Sequence, residues 1–190
     1  MSQYFGKAVH VAYVVPDINT AMQRMVDSGI GPVYAMRRVR VAARYRGQRS
    51  DVLITAAFVY SGAMQFEFVE QHDDAPSAYR DYIAMHPEGG MHHVAYFCDG
   101  LDGARKKVAD RFDLVQEFIG PDEVAYEIYL APKNNADKAD PLQVQLMLHG
   151  PMDPFFAQME RAAATWDGRD PIRNALDLLP PAMRPPQELR

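Results

Sequence analysis

The chain has one cysteine, one tryptophan and no surplus of basic residues, and each scarcity closes off a class of function. A single thiol, Cys98, cannot make an internal disulfide, which fits a reducing cytoplasm. Its mid-strand setting reads as a small buried apolar residue and not as a nucleophile. No apolar run approaches the ~18 residues of a membrane span. The opening MSQYFGKAVH has neither the basic start nor the apolar stretch of a secretion signal, so a cytoplasmic protein off the membrane is expected. The net charge of −5 argues against nucleic acid, whose binding rests on excess Lys and Arg against phosphate. At 190 residues, 48% hydrophobic, the chain can bury a full core as one large domain or two small modules.

What the chain does have is repetition. HVAY stands at 10–13 and again at 93–96, and the order of elements after each copy agrees. Residues 8–15 alternate and are rich in valine, which predicts a strand. Pro16 stops it, Asp17 or Asn19 can cap a helix running to about residue 28, and Gly29 and Gly31 end that helix. Extended segments follow at 33–41, 52–60 and 64–71, with Ser61-Gly62 as a tight turn. After a connecting helix over 76–85, a strand at 91–98, a helix at 101–111 and strands at 114–119, 124–130 and 142–148 repeat that order, with the polar segment PKNNADKAD as a loop before the last strand.

A second match fixes the alignment of the copies. QFEFV at 65–69 and QVQLM at 143–147 close the two modules and place Glu67 opposite Gln145, 78 residues apart, beside the 83 that separate His10 from His93. All four side chains can be ligands. Strand alternation puts His10 on one face with Ala12 and His93 on one face with Ala95, small neighbours that leave room for something bound, and it turns His92 to the other face. Glu67 lies among Phe66, Phe68 and Met64, a costly place for a carboxylate unless a cation or donors satisfy it.

Charge is unevenly spread. RRVRVAARYRGQR at 37–49 carries six arginines and no acid, leaving about −11 for the rest. The stretch reads either as a solvated edge strand whose arginines find carboxylates elsewhere, or as a rim, with Arg44, Arg46 and Arg49 as substrate-binding candidates, that draws in a carboxylate or the phosphates of a carrier such as coenzyme A.

The paired modules, HVAY opening each, QFEFVEQ closing the first and GMHHVAYFC restarting the second, resemble the vicinal oxygen chelate (glyoxalase/bleomycin resistance/dioxygenase) superfamily, in its glyoxalase-like branch near methylmalonyl-CoA epimerase. The resemblance covers about residues 8–149. It implies an α+β fold of two tandem βαβββ modules curled into an open mixed barrel, followed by a C-terminal helix and extended tail. Segments 1–75 and 91–150 would be the modules, 76–90 the connection and 151–190 the C-terminal addition. It also implies one divalent metal ion held by His10, Glu67, His93 and Gln145, with Glu67 as the catalytic carboxylate. Ligation by oxygen and nitrogen without thiolate suits Mg, Mn, Co, Ni, Fe or Zn alike.

The departure from the family pattern is Gln145, where many relatives have glutamate. An amide takes up no proton at neutral pH, so one-base proton transfer is implied more directly than a two-base racemisation, and Glu70, His72, Tyr126 and Glu127 stand as unranked candidates for a further base. Two imidazoles, one carboxylate and one amide leave a divalent cation about +1, a site that favours a small anionic substrate.

Three functions follow: an isomerase or lyase, epimerase-like, that transfers a proton beside a carbonyl of a small acyl compound or acyl-CoA; an Fe(II) ring-cleaving dioxygenase; and a binding protein without turnover. Family dioxygenases usually take their carboxylate from the last strand of a second module, where this chain has Gln145. Beyond the repeat, 153–166 shows helical apolar spacing through Phe155, Phe156, Met159, Ala162, Ala163 and Trp166. The proline-paired tail after it is expected either to cover a barrel face or to wrap the partner in a homodimer.

Overall fold

The computed structural model describes residues 2–133, 142–150, 152–179 and 184. The first unit runs β1 (Ala8–Val14), α1 (Ile18–Asp27), β2 (Val33–Val41), a short β3 (Ala43–Tyr45) and β4 (Gln48–Arg49), β5 (Val52–Ser61) and β6 (Met64–Gln71). After α2 (Ala78–Met85), the second runs β7 (Gly90–Cys98), α3 (Leu101–Lys107), β8 (Phe112–Ile119), β9 (Ala125–Pro132) and β10 (Gln143–Leu148). Then come α4 (Met152–Ala164), β11 (Ile172–Asn174) and a 3-10 turn at Ala175–Leu178. Most of PKNNADKAD, residues 134–140, lies outside the described residues.

All eleven strands join one curled, open mixed sheet in the order β11-β2-β5-β6-β1-β7-β10-β9-β8-β3-β4. The seam is the antiparallel pair of β1 and β7, the two HVAY strands. Each is flanked by the last strand of its own unit in parallel, β6 against β1 and β10 against β7. Because directly paired residues share a face, the register alone assembles the concave surface. Ala12 lies between Glu67 on β6 and His93 on β7, while Ala95 lies between His10 on β1 and Gln145 on β10. Both alanines are fully buried.

The strands form where alternation foretells them, and two refinements come from local backbone. Helix α3 stops at Lys107, short of the expected 111. The basic stretch divides into β2, β3 and β4: β2 slips register against β5 between Met36 and Val39, with Arg38 at φ 49, and β3 leaves that pairing to join β8. A bulge of this kind bends a strand and increases its twist, carrying the chain from one edge of the curl to the other.

Helix α4 and β11 pack on their own chain, whereas the proline-paired tail after residue 179 lies, apart from residue 184, outside the described residues. Phe155, Phe156 and Met159 of α4 share a buried cluster with Tyr34, Ala56, Phe58, Tyr60, Ala95 and Met147, residues of the concave face. Beyond α4, the Trp166 ring lies so close to Gly31 that a Cβ there would sit 2.7 Å from it, so only glycine fits. Cys98 is partly buried beside the cluster of Leu101 and Leu146, and burial pushes its thiol up, as suits a packing residue. Among the described residues no helix is long and apolar enough to cross a membrane.

Candidate metal centre

The site sits on the concave face at the β1–β7 seam. His10 Nε2 and His93 Nε2 approach the same Glu67 oxygen, Oε2, at 3.1 and 3.2 Å. One ligating atom from each of the three side chains falls within 4.8 Å of the others. Gln145, the fourth matched residue, lies on β10 beside Ala95, whose partner on β1 is His10. All four are buried: His10 is 1% exposed, Glu67 6%, His93 0% and Gln145 2%.

Their hydrogen bonds leave four atoms over. Gln65 donates Nε2 to the Tyr60 hydroxyl at 3.0 Å, so its Oε1, 2.9 Å from His10 Nδ1, accepts that nitrogen's proton and leaves the lone pair on Nε2. His93 Nδ1 lies 2.9 Å from His92 Nδ1, and a proton on His93 Nδ1 frees His93 Nε2 in the same way. Gln145 donates Nε2 to Glu127 Oε1 at 2.5 Å and to the Tyr129 hydroxyl at 2.9 Å. What remains without an aligned hydrogen-bond partner is His10 Nε2, His93 Nε2, Glu67 Oε2 and Gln145 Oε1. Buried polar atoms without partners are rare and costly, and these four are two imidazole lone pairs, a carboxylate oxygen and an amide oxygen. That donor set fits a divalent cation.

Without a cation the electrostatics tie His10 to Glu67, so that a metal ion would displace a proton from His10. Burial raises the Glu67 carboxyl, but the neighbouring His10 and His93 outweigh it and hold it below its usual range. Burial depresses His10, yet Glu67 more than compensates and leaves it raised. Burial keeps His92 well below its ordinary value and His93 below its own, so both stay neutral imidazoles. For Glu127, burial and then the charge of Glu67 push the carboxyl up to about 7.

Three sequence readings are corrected or refined here. His92 does not turn to the opposite face. The β1–β7 register jumps from Ala12–His93 to Tyr13–Met91, and the bulged His92 packs against His93, Tyr79 and Tyr129 inside. Of the four unranked candidates, Glu127 reaches the site, whereas Glu70 and His72 contact each other at 3.4 Å, near Thr55, and Tyr126 is 42% exposed. The residual charge of about +1 therefore holds only with Glu127 protonated, since its carboxylate adds a second negative charge beside Gln145.

Tyr129, missed by the sequence reading, anchors Gln145 and is hydrogen-bonded to the Tyr79 hydroxyl at 2.6 Å. Arg44, Arg46 and Arg49 lie on the β3–β4 edge. Arg44 pairs with Glu123 at 2.8 Å, Arg49 with Glu123 and Asp51 at 2.5 Å each, and Arg46 with Asp81 at 3.2 Å.

The chain can now be set beside known proteins. Residues 9–129 match the family model of the Glyoxalase/Bleomycin resistance protein/Dioxygenase superfamily. The chain belongs to that superfamily. Among solved structures, a methylmalonyl-CoA epimerase from Mycobacterium tuberculosis aligns with a TM-score of 0.50 at 15% identity, over 80% of this chain and 93% of the epimerase. A Streptomyces coelicolor methylmalonyl-CoA epimerase variant in complex with 2-nitronate-propionyl-CoA aligns at 0.46 and 13%, over 75% and 98%. A 4-hydroxymandelate synthase variant from the same organism aligns at 0.45 and 14%, over 75% and 48%. At such identities the likeness is one of fold. No curated protein matches. Within the superfamily, then, the chemistry must be argued from this chain's own side chains.

Proposed function

We propose that the chain is a metal-dependent isomerase or lyase that moves a proton next to a carbonyl on a small acyl substrate, with an acyl-CoA thioester as the leading candidate. The observation that carries this reading is the buried convergence of His10 Nε2, Glu67 Oε2 and His93 Nε2 within 4.8 Å of one another, with Gln145 Oε1 likewise buried and unbonded. These residues would hold a divalent cation. When bound, it supplies Lewis-acid charge beside the substrate oxygen.

The side chains divide the remaining work. Gln65 fixes the His10 tautomer, and His92, by accepting the His93 Nδ1 proton, would leave the His93 Nε2 lone pair available. Tyr129 and Glu127 engage the Gln145 amide nitrogen and turn its oxygen free. Glu67, engaged through Oε2, keeps Oε1 to take up a proton, as the sequence reading assigns it. Glu127 is a second proton acceptor: it stands outside the ligand set, half-buried where the others are enclosed, and can pass a proton on to solvent. Burial of the cluster keeps water from competing for charge. Arg44, Arg46 and Arg49 enter the proposal as long-range attraction for an anionic carrier, weakened by their ion pairs.

The test is deuterium incorporation at the α-carbon of methylmalonyl-CoA in D2O, read by mass spectrometry. Exchange is expected with Co(II)- or Mn(II)-loaded protein and is expected to fall in Glu67→Gln and Glu127→Gln. No exchange with any loaded metal sinks the reading.

The cluster of His10, Glu67 and His93 within 4.8 Å favours one alternative, an Fe(II) dioxygenase using two histidines and a carboxylate. Oxygen uptake by the Fe(II)-loaded protein with catechols, absent with other metals, would select it.

A further inference from the structure

The C-terminal helix supplies something that the two modules alone do not. Phe156 is 4% exposed and its ring centre lies 6.2 Å from His10 and 5.4 Å from Phe58, which makes it a wall of the metal cluster. The same Phe156 lines a groove of about 450 Å³ on its far side, together with Phe5, Tyr60, Phe97, His149 and Ala157. That volume is in the range of small-molecule sites. Two routes connect the groove to the cluster within one or two side chains: Phe156 to His10 directly, and Tyr60 through Gln65 to His10. Phe5, Tyr60, Phe97 and Phe156 bring aromatic rings to it, with the Phe97 and His149 rings stacked at 4.7 Å. Its charged residues, Lys7 against Asp153 and Glu160, leave a net −1, which disfavours the anionic part of a substrate.

We propose that this groove binds an uncharged apolar or aromatic portion of the substrate, and that Phe156 decides which molecules can extend from it to the cation. The inference rests on the metal-site reading above. The enclosure of the four donors requires a side chain to yield before a substrate oxygen can reach them, and Phe156 is the residue shared by cluster and groove. Helix α4 is joined to β10 through Gly150, held at φ 143, a conformation that L side chains rarely adopt.

The experiment uses full-length Co(II)-loaded protein, whose visible spectrum is titrated with acetohydroxamate and with a long aryl hydroxamate, two oxygen chelators that differ in the tail alone. In Phe156→Ala the aryl compound should bind about tenfold tighter, 1.4 kcal/mol, and acetohydroxamate, which passes the same side chain but has no tail to seat, should tighten by clearly less. In Ala157→Trp, which fills the groove from α4, the aryl compound should bind about tenfold weaker and acetohydroxamate stay put. Phe156→Leu keeps apolar volume and should move in the same direction as Phe156→Ala by less, which guards against a variant that fails to fold. An aryl-to-acetyl ratio unchanged in all three variants overturns the groove inference while leaving the metal reading intact. Wild type that gives no Co(II) spectrum at all overturns the metal reading and this inference with it.

Discussion

On the first half of the sheet the carboxylate itself reaches the cluster: Glu67 is backed across the β5 register by Phe58, with Ala56 two residues before it. On the second half an amide reaches the cluster. Gln145 is backed across the β9 register by Tyr129, with Glu127 two residues before it. Position for position, Glu67, Phe58 and Ala56 answer to Gln145, Tyr129 and Glu127, so the carboxylate has moved by one strand and the apolar backing has become polar. The bulges repeat the contrast. Each HVAY histidine follows a bulged residue, Val9 in β1 and His92 in β7, and only the second can hydrogen-bond its neighbouring imidazole. One half thus supplies charge directly, and the other supplies an oriented neutral donor with a carboxylate in reserve.

The broadest test of that comparison removes one imidazole from each half. His10→Ala and His93→Ala should each weaken metal binding by more than about 100-fold, beyond the 10–100-fold that outer contacts command, as measured by titration of metal-free protein. Retention of wild-type affinity in one variant would remove that half from the site.

Next in size is exchange of the unlike ligands. Glu67→Gln should weaken metal binding by about 10–100-fold, because among the described residues Glu127 reaches the cluster only through the Gln145 amide and no further carboxylate is paired with the two histidines. Gln145→Glu should do the reverse. Without metal it crowds a third carboxylate beside Glu127 and Glu67 and lowers stability by about 1–3 kcal/mol. Added cation should then raise the melting temperature more than it does in wild type. Equal melting temperatures of the metal-free variant and wild type would mean that Glu127 and Gln145 do not share the site.

Smaller still is the backing. Tyr129→Phe removes one of two acceptors from the Gln145 amide and should cost about tenfold in metal affinity, with Tyr79→Phe, one hydrogen bond further out, costing less. Phe58→Leu at the matched position changes packing and offers Glu67 no hydrogen bond to lose, so it should lower stability and leave affinity within about twofold. Parallel losses at Tyr129 and Phe58 would erase the distinction between polar and apolar halves.

Much of this was readable before any coordinates. The duplicated HVAY strands and the QFEFV/QVQLM pair mark the seam and the four donors, because β alternation and register turn equal spacing into a shared face. The place of Ala12 and Ala95 beside the histidines was legible for the same reason. Glu127 was not rankable, because its closeness to Gln145 depends on the β9–β10 register across a loop of arbitrary length. The inward turn of His92 was misread because a bulge breaks alternation and leaves no fixed mark in composition. The division of the basic stretch into three strands was hidden for a similar reason: it depends on Arg38 adopting a positive φ that arginine seldom takes.

The smallest effect contrasts the helices that follow the two HVAY strands. Seven residues after each HVAY histidine stands the helix N-cap, Asp17 before α1 and Gly100 before α3. Asp17 accepts from the backbone of Asn19 and Thr20, whereas Gly100 offers no side-chain cap. Hydrogen bonds from Thr20 hold the Asp17 carboxyl below its ordinary 3.8. Its contribution to stability is therefore present above pH 3.8 and disappears as pH falls through the lowered folded-state value. Asp17→Ala should lower the melting temperature at pH 7, and by progressively less as the pH falls below 3.8. Gly100→Asp should do the opposite. Gly100 has an extended backbone, φ −168 and ψ 123, and open space where a Cβ would go, so aspartate fits without strain. It would gain a cap and remove the extra freedom of glycine from the unfolded chain, for about 1 kcal/mol. Because neither residue touches the metal cluster, both variants should bind metal as wild type does. A stability gain at Gly100 accompanied by altered metal affinity would show that α3 and the seam are coupled, contrary to the picture of a site set by strand register alone.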